Sequence, residues 1–113
     1  MIPQLDQRAP DTPDRTGFLA AHPAPKPNPL LVPPVALLEV AQLLADEEPT
    51  HGNRWRRRPA RHHLAAALRH TLRWNTGQTV DPDSGHSHLT HAAARILMAL
   101  EQEATSKQHR PGA

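Results

Sequence analysis

The chain has no cysteine and no tyrosine, and its 113 residues hold one phenylalanine (Phe18) and two tryptophans (Trp55 and Trp74). Without cysteine there is no disulfide, thiolate metal site or cysteine nucleophile, a composition suited to a reducing cytoplasm. No apolar run approaches the ~20 residues needed to span a bilayer. The start carries no signal-peptide core, so a cytoplasmic location is expected. The five glycines form neither a GxxxxGK loop nor a GxGxxG fingerprint, and there are no internal repeats. Apolar residues make up 37% of the chain and mean hydropathy is −0.64. Such a chain buries only a small core, so a lone monomer should be marginal, and association of chains is expected to complete a helical bundle.

Proline, arginine and histidine are what the chain has instead. Seven of its 13 prolines fall in residues 1–29, including the alternating run HPAPKPNP. Proline fixes φ and lacks an N–H, so this segment reads as a disordered or polyproline-II tail. Residues 30–105 read as the folded part and 106–113 as a second disordered tail. Formal net charge is only +2, but the basic residues concentrate in residues 54–73.

The apolar spacing predicts an all-α domain of three helices, at about 34–47, 59–75 and 84–104, with no sheet. Pro33-Pro34 opens the first, where a missing N–H costs nothing. Its expected core stripe is Leu37, Val40, Ala41 and Leu44. Pro49 and the THGN that follows read as a turn. In the second helix Leu64, Leu68 and Leu72 are the expected core stripe, with His63, Ala67, His70 and Trp74 on a second seam. Gly77 suits a C-terminal cap. The third helix offers Leu89, Ala93, Ile96, Leu97 and Leu100 to the core, with Asp83 or Ser84 as its expected cap. A short connection makes the last two helices antiparallel neighbours.

The polar residues between and beside these helices carry the chemistry. His88, His91 and Arg95 share a helical face at i, i+3 and i+7, and imidazoles so spaced can converge on a metal or a phosphate. Asp81 and Asp83 are more carboxylates than one cap needs, and hard cations take carboxylate oxygens. Glu39 lies roughly opposite the first stripe, and Glu47 and Glu48 sit at a helix end where the dipole disfavours acids. Trp55 with Arg56, Arg57 and Arg58 suits a base face and phosphate oxygens.

These landmarks come in an order that resembles a known family. LLVPPVALLEVAQLL, HGNRW, ALRHTLRW, Gly77, DPDSG and HSHLTHAAA together look like the phage-associated dATP/dGTP diphosphohydrolase N-terminal domain, over roughly residues 26–103. The resemblance implies hydrolysis of dATP or dGTP to monophosphate and pyrophosphate with Mg²⁺ or Mn²⁺, in the host cytoplasm if the chain is phage-encoded. On that reading His88, His91 and His70 are the catalytic histidines. Arg69, Asn53, Trp55, Arg58 and Arg95 would hold the substrate, and Asp81, Asp83 and Glu39 would hold the metal. The chain departs from the family pattern at three places, the first being the loop before HGNRW, which lacks the usual Lys-Tyr. Gln78 stands where an acid commonly follows the glycine, which weakens the expected metal site, and Arg95 stands in place of a small amide. The alternative is a non-catalytic nucleic-acid- or partner-binding module that grips phosphates with the basic segment 54–73.

Overall fold

The structure, a computed structural model, describes residues 24–108. The expected N-terminal disorder lies largely outside the described residues. Residues 24–31 stand as a unit of their own. They hold a single 3₁₀ turn, Pro29–Leu31, in which the Asn28 side chain accepts the Leu30 N–H at 3.1 Å.

The second unit carries three α-helices, a 3₁₀ turn at Arg54–Arg57 and, among the described residues, no strand beyond one isolated bridge. Helix α1 spans Pro34–His51, α2 Ala60–Asn75 and α3 His88–Gln108. The all-α expectation holds, with three boundaries moved. Helix α1 does not stop at Pro49 but runs on to His51. A proline near a helix end removes one backbone hydrogen bond, and the chain turns only where Gly52 supplies φ +55°. Gly52 N–H closes the last turn on Glu48 O at 3.0 Å, and the Arg54 guanidinium donates to the carbonyls of Thr50 and His51.

Helix α3 starts four residues later than the sequence suggests, and neither Asp83 nor Ser84 caps it. Ser87 does, accepting the Leu89 N–H on Oγ at 3.0 Å. The preceding residues are occupied in a clasp. His88 N–H donates to Thr79 O and Asp81 N–H to His86 O, both at 2.8 Å, around the Val80–Ser87 bridge. Helix α3 also runs on to Gln108, past the expected end near residue 104.

Helix α2 ends as expected. Gly77, at φ +108°, lets its own N–H reach Trp74 O at 3.0 Å, and Gln78 N–H reach Arg73 O at 3.1 Å. This double closure, a Schellman motif, fixes the direction in which Gln78 leaves the helix.

Helix α3 is the element on which both others pack, α2 along its length and α1 more sparingly. Hydrogen bonds pair residue 70 with 88 and 63 with 95, and tie the carbonyls of Arg56 and Arg58 to Gln102. Numbers rise on one side as they fall on the other, so α2 and α3 are antiparallel.

What lies between the helices corrects the expected core. Leu64, Leu68 and Leu72 are about half exposed, as are Leu89, Ile96, Leu97 and Leu100. The buried residues are Ala66, Ala67, Ala92, Ala94 and Ala99, together with His63, Thr90, His88 and His91. Alanines let the two backbones approach closely, and the histidines between them are hydrogen-bonded, so the polar seam of α2 can be the inner one. On α1, Val40 and Leu43 pack against Ala94, while Leu37, Ala41 and Leu44 of the expected stripe are exposed.

Candidate active site: a histidine cluster beside a basic cleft

The α2–α3 seam brings four polar side chains to one point at the clasp end. His70 leaves the last turns of α2, His88 and His91 leave the first turn of α3, and Asp81 comes from the clasp. His70 Nδ1 and His88 Nδ1 are 2.8 Å apart, and His88 Nε2 lies 2.8 Å from Gln78 Oε1. The amide oxygen is an acceptor, so His88 carries its proton on Nε2 and accepts on Nδ1 from the His70 N–H. His88 is 0% exposed, and this chain satisfies both of its ring nitrogens.

Asp81 serves two neighbours. Its Oδ1 accepts the Asp83 N–H at 2.9 Å, holding the turn. Its Oδ2 faces His91 Nε2 at 3.5 Å and His70 Nδ1 at 4.0 Å. His91 Nε2 also lies 2.7 Å from Ser84 Oγ, and its ring stacks on His70 with centroids 4.4 Å apart.

Burial decides the electrostatics here. It holds the His70 imidazole down to about 4, helped by the charges of His91 and His88 and opposed by Asp81. His91 is lowered for the same first reason, with Glu47 and Asp81 pulling the other way. For Asp81 burial pushes the carboxyl up, but the Asp83 N–H and the three histidines outweigh it, and the net shift is downward. At neutral pH the neutral imidazoles of His70 and His91 therefore stand beside the Asp81 carboxylate.

A cleft of about 550 Å³ adjoins this cluster, and His70 and His91 are in its wall. Arg54, Arg56, Arg58 and Arg95 line it with Asn53, Trp55, Glu47 and Glu48. The basic loop is held in place by Gln102, whose Nε2 donates to Arg56 O at 2.8 Å and to Arg58 O at 2.7 Å. Arg95 is held by His63, which accepts from the guanidinium on Nδ1 at 3.2 Å and donates from Nε2 to Trp55 O at 3.0 Å. Burial lowers Arg95 from its ordinary value, with Glu47 opposing. The Arg56 guanidinium lies 4.4 Å from the centre of the Trp55 ring and covers one of its faces.

The structure thus brings together His70, His88, His91 and Asp81, and places Asn53, Trp55, Arg58 and Arg95 in the adjoining cleft. It does not bring in the rest. Glu39 is exposed on α1, and Arg69 is exposed on α2 outside the cleft wall. Asp83 contributes its backbone N–H to Asp81, while the residue itself is exposed. Three acids for one hard cation therefore do not converge. The sequence reading missed Gln102, though it continues the α3 stripe of His88, His91 and Arg95 at i+14 from His88. It noted Glu47 and Glu48 without placing them in a site, and both prove to line the cleft.

Fold and site together define a small all-α domain with a cationic, aromatic-flanked cleft next to a buried histidine–aspartate cluster. Over residues 19–111 the chain matches the family described as dATP/dGTP diphosphohydrolase, N-terminal, and it belongs to that family. No curated protein and no solved structure matches it.

Proposed function

We propose that the cleft binds the triphosphate of a purine deoxynucleotide and that the chain hydrolyses dATP or dGTP to the monophosphate and pyrophosphate. The family description supports the substrate. The observation that carries the reading is the wall of the cleft, where four arginines and Trp55 meet two histidines of the buried cluster. Its volume of about 550 Å³ is that of a small-molecule site. Guanidinium forks suit phosphate oxygens, and before any ligand arrives Arg95 is held through its guanidinium and Arg58 through its backbone carbonyl.

In the reaction, water attacks the α-phosphorus, the bond to the α,β-bridging oxygen breaks, and pyrophosphate leaves. A neutral imidazole of the cleft wall takes the water's proton. His91 is suited to this, because Ser84 and Asp81 hold its Nε2 edge and its proton affinity lies below that of a free imidazole. The arginines offset charge on the departing pyrophosphate. The family reading implies Mg²⁺ or Mn²⁺, but Asp81, Asp83 and Glu39 do not form the oxygen shell of a hard ion, so no step is routed through one.

The test is incubation with each dNTP, with and without Mg²⁺ or Mn²⁺, and assay of pyrophosphate against orthophosphate. Pyrophosphate release from dATP and dGTP, lost in His91→Gln, is expected. Orthophosphate as the product, or turnover equal to that of His91→Gln, would sink the proposal. A second reading rests on Arg57, Arg61, Arg69 and Arg73, exposed on the basic segment outside the cleft wall. If these grip nucleic acid, binding of a duplex should weaken steeply with salt. Against it, the arginines of the cleft stand beside Glu47 and Glu48 rather than on an acid-free stripe.

We further propose that the chain self-associates through the leucines left outside on α2 and α3. Seven large apolar side chains there are 44–58% exposed (Leu64, Leu68, Leu72, Leu89, Ile96, Leu97 and Leu100). A second copy would cover them. Sedimentation at micromolar concentration should give a dimer or larger species, and a stable monomer would exclude it.

A further inference from the structure

We infer that His70, Asp81 and His88 form a binding site for a borderline divalent cation of the Zn²⁺ class, separate from any ion that accompanies a nucleotide. Each residue offers one ligand atom, and these atoms all lie within 4.8 Å of one another. Two imidazole nitrogens and one carboxylate oxygen are the donor set of such ions, whereas Mg²⁺ asks for an all-oxygen shell.

The distances say how far the cluster is from a loaded geometry. Nδ1 of His70 and Nδ1 of His88 are 2.8 Å apart, and His70 Nδ1 is 4.0 Å from Asp81 Oδ2. A tetrahedral ion with bonds of about 2.0–2.2 Å keeps its ligand atoms roughly 3.3 Å apart. The imidazoles would have to separate by about half an ångström and Asp81 to approach by slightly more. Both are side-chain adjustments. In the metal-free state His70 Nδ1–H donates to His88 Nδ1; on loading, that proton moves to His70 Nε2, which frees both Nδ1 atoms for the ion.

What surrounds the three ligands is the stronger argument. A histidine that ligates a metal almost always donates its other ring N–H to a fixed acceptor. His88 does so already, its Nε2–H meeting Gln78 Oε1 at 2.8 Å, which leaves Nδ1 directed at His70. Asp81 has Oδ1 taken by the Asp83 N–H, so Oδ2 is the oxygen left to ligate. His88 is fully buried, and the side chains of His70 and Asp81 are 18% and 11% exposed. His70 is also in the cleft wall, which gives an ion a path in. Gln78 thereby gains a use: where a carboxylate would add an oxygen ligand for a hard ion, an amide serves as the outer partner of an imidazole.

The experiment uses the full chain, stripped of metal by chelation and labelled with ¹⁵N in its histidine rings, titrated with Zn²⁺ and in parallel with Mg²⁺, without nucleotide. One equivalent of Zn²⁺ should move the Nδ1 resonances of His70 and His88 while the Nε2–H of His88 persists. Calorimetry should show one site, weakened at least 100-fold by Asp81→Asn or His88→Gln, 10–100-fold by Gln78→Ala, and unchanged by His86→Gln. The resonance shifts are read on the unaltered chain, so variants that fail to fold leave the test intact. Absence of stoichiometric binding, shifts confined to exposed histidines, insensitivity to Gln78→Ala, or equal occupancy by Mg²⁺ would each overturn the inference. None of these readouts depends on hydrolysis, so the site and the proposed activity stand or fall separately.

Discussion

Replacing Gln78 by leucine tests whether the His70–His88–Gln78 chain holds the α2–α3 seam together. Gln78 is itself exposed, so its own burial contributes little. His88, to which its Oε1 is bonded at 2.8 Å, is 0% exposed and can recruit no water in its place. The substitution therefore leaves an enclosed imidazole N–H without an acceptor, which costs about 1–3 kcal/mol. In a domain of this size each kcal/mol moves the melting temperature by about 4–8 °C. Metal-free protein followed by far-ultraviolet circular dichroism should thus melt roughly 5–20 °C lower in Gln78→Leu. Combined with His70→Phe, the two losses should be non-additive, with a coupling of about 0.5–3 kcal/mol, because both act through His88. A Gln78→Leu protein within about 0.5 kcal/mol of the parent, the range of an ordinary surface change, would refute the account.

Other consequences are as direct. His70 is held at about 4 against an ordinary 6.5, so the unfolded chain binds more protons between those values. Stability of the metal-free protein should be full above pH 6.5 and decline as pH falls toward 4, by about 1–2 kcal/mol after allowance for solvent screening; a flat denaturation midpoint over that range would contradict it. Leu43, 1% exposed against Val40 and Ala94, is the main apolar link of α1 to α3. Leu43→Ala should cost about 2–4 kcal/mol in urea unfolding, and a cost under about 1 kcal/mol would show that α1 is not packed there. Gly77 has no neighbour to block a Cβ but sits at φ +108°, so Gly77→Ala should cost about 1–2 kcal/mol through backbone strain alone. The same change at Gly52, at φ +55°, should be milder, and the ranking is checked by thermal melts.

Local rules carried most of the elements. Proline at the head of α1, glycine after α2 and apolar repeats at helical spacing were enough for three helices and an antiparallel pair, because each depends on neighbours within a few residues. They also gathered His70, His88, His91 and Asp81 as candidates, since the two helices and the clasp are joined by one short connection. Which face of each helix turned inward was not local. Helices α2 and α3 each present a leucine stripe and an alanine–histidine seam, and hydrophobicity alone favours the leucines. The tertiary structure turned the other seam inward, because alanine permits close approach and His63 and His88 find partners across it in Trp55, Arg95, His70 and Gln78. Those partners lie 8 to 32 residues away in the chain, a separation at which no periodicity operates. The same distance explains Glu39 and Gln102. Glu39 looked like a ligand by type and lies outside the cluster, while Gln102 was not singled out and holds the basic loop, because only packing decides which side chains meet.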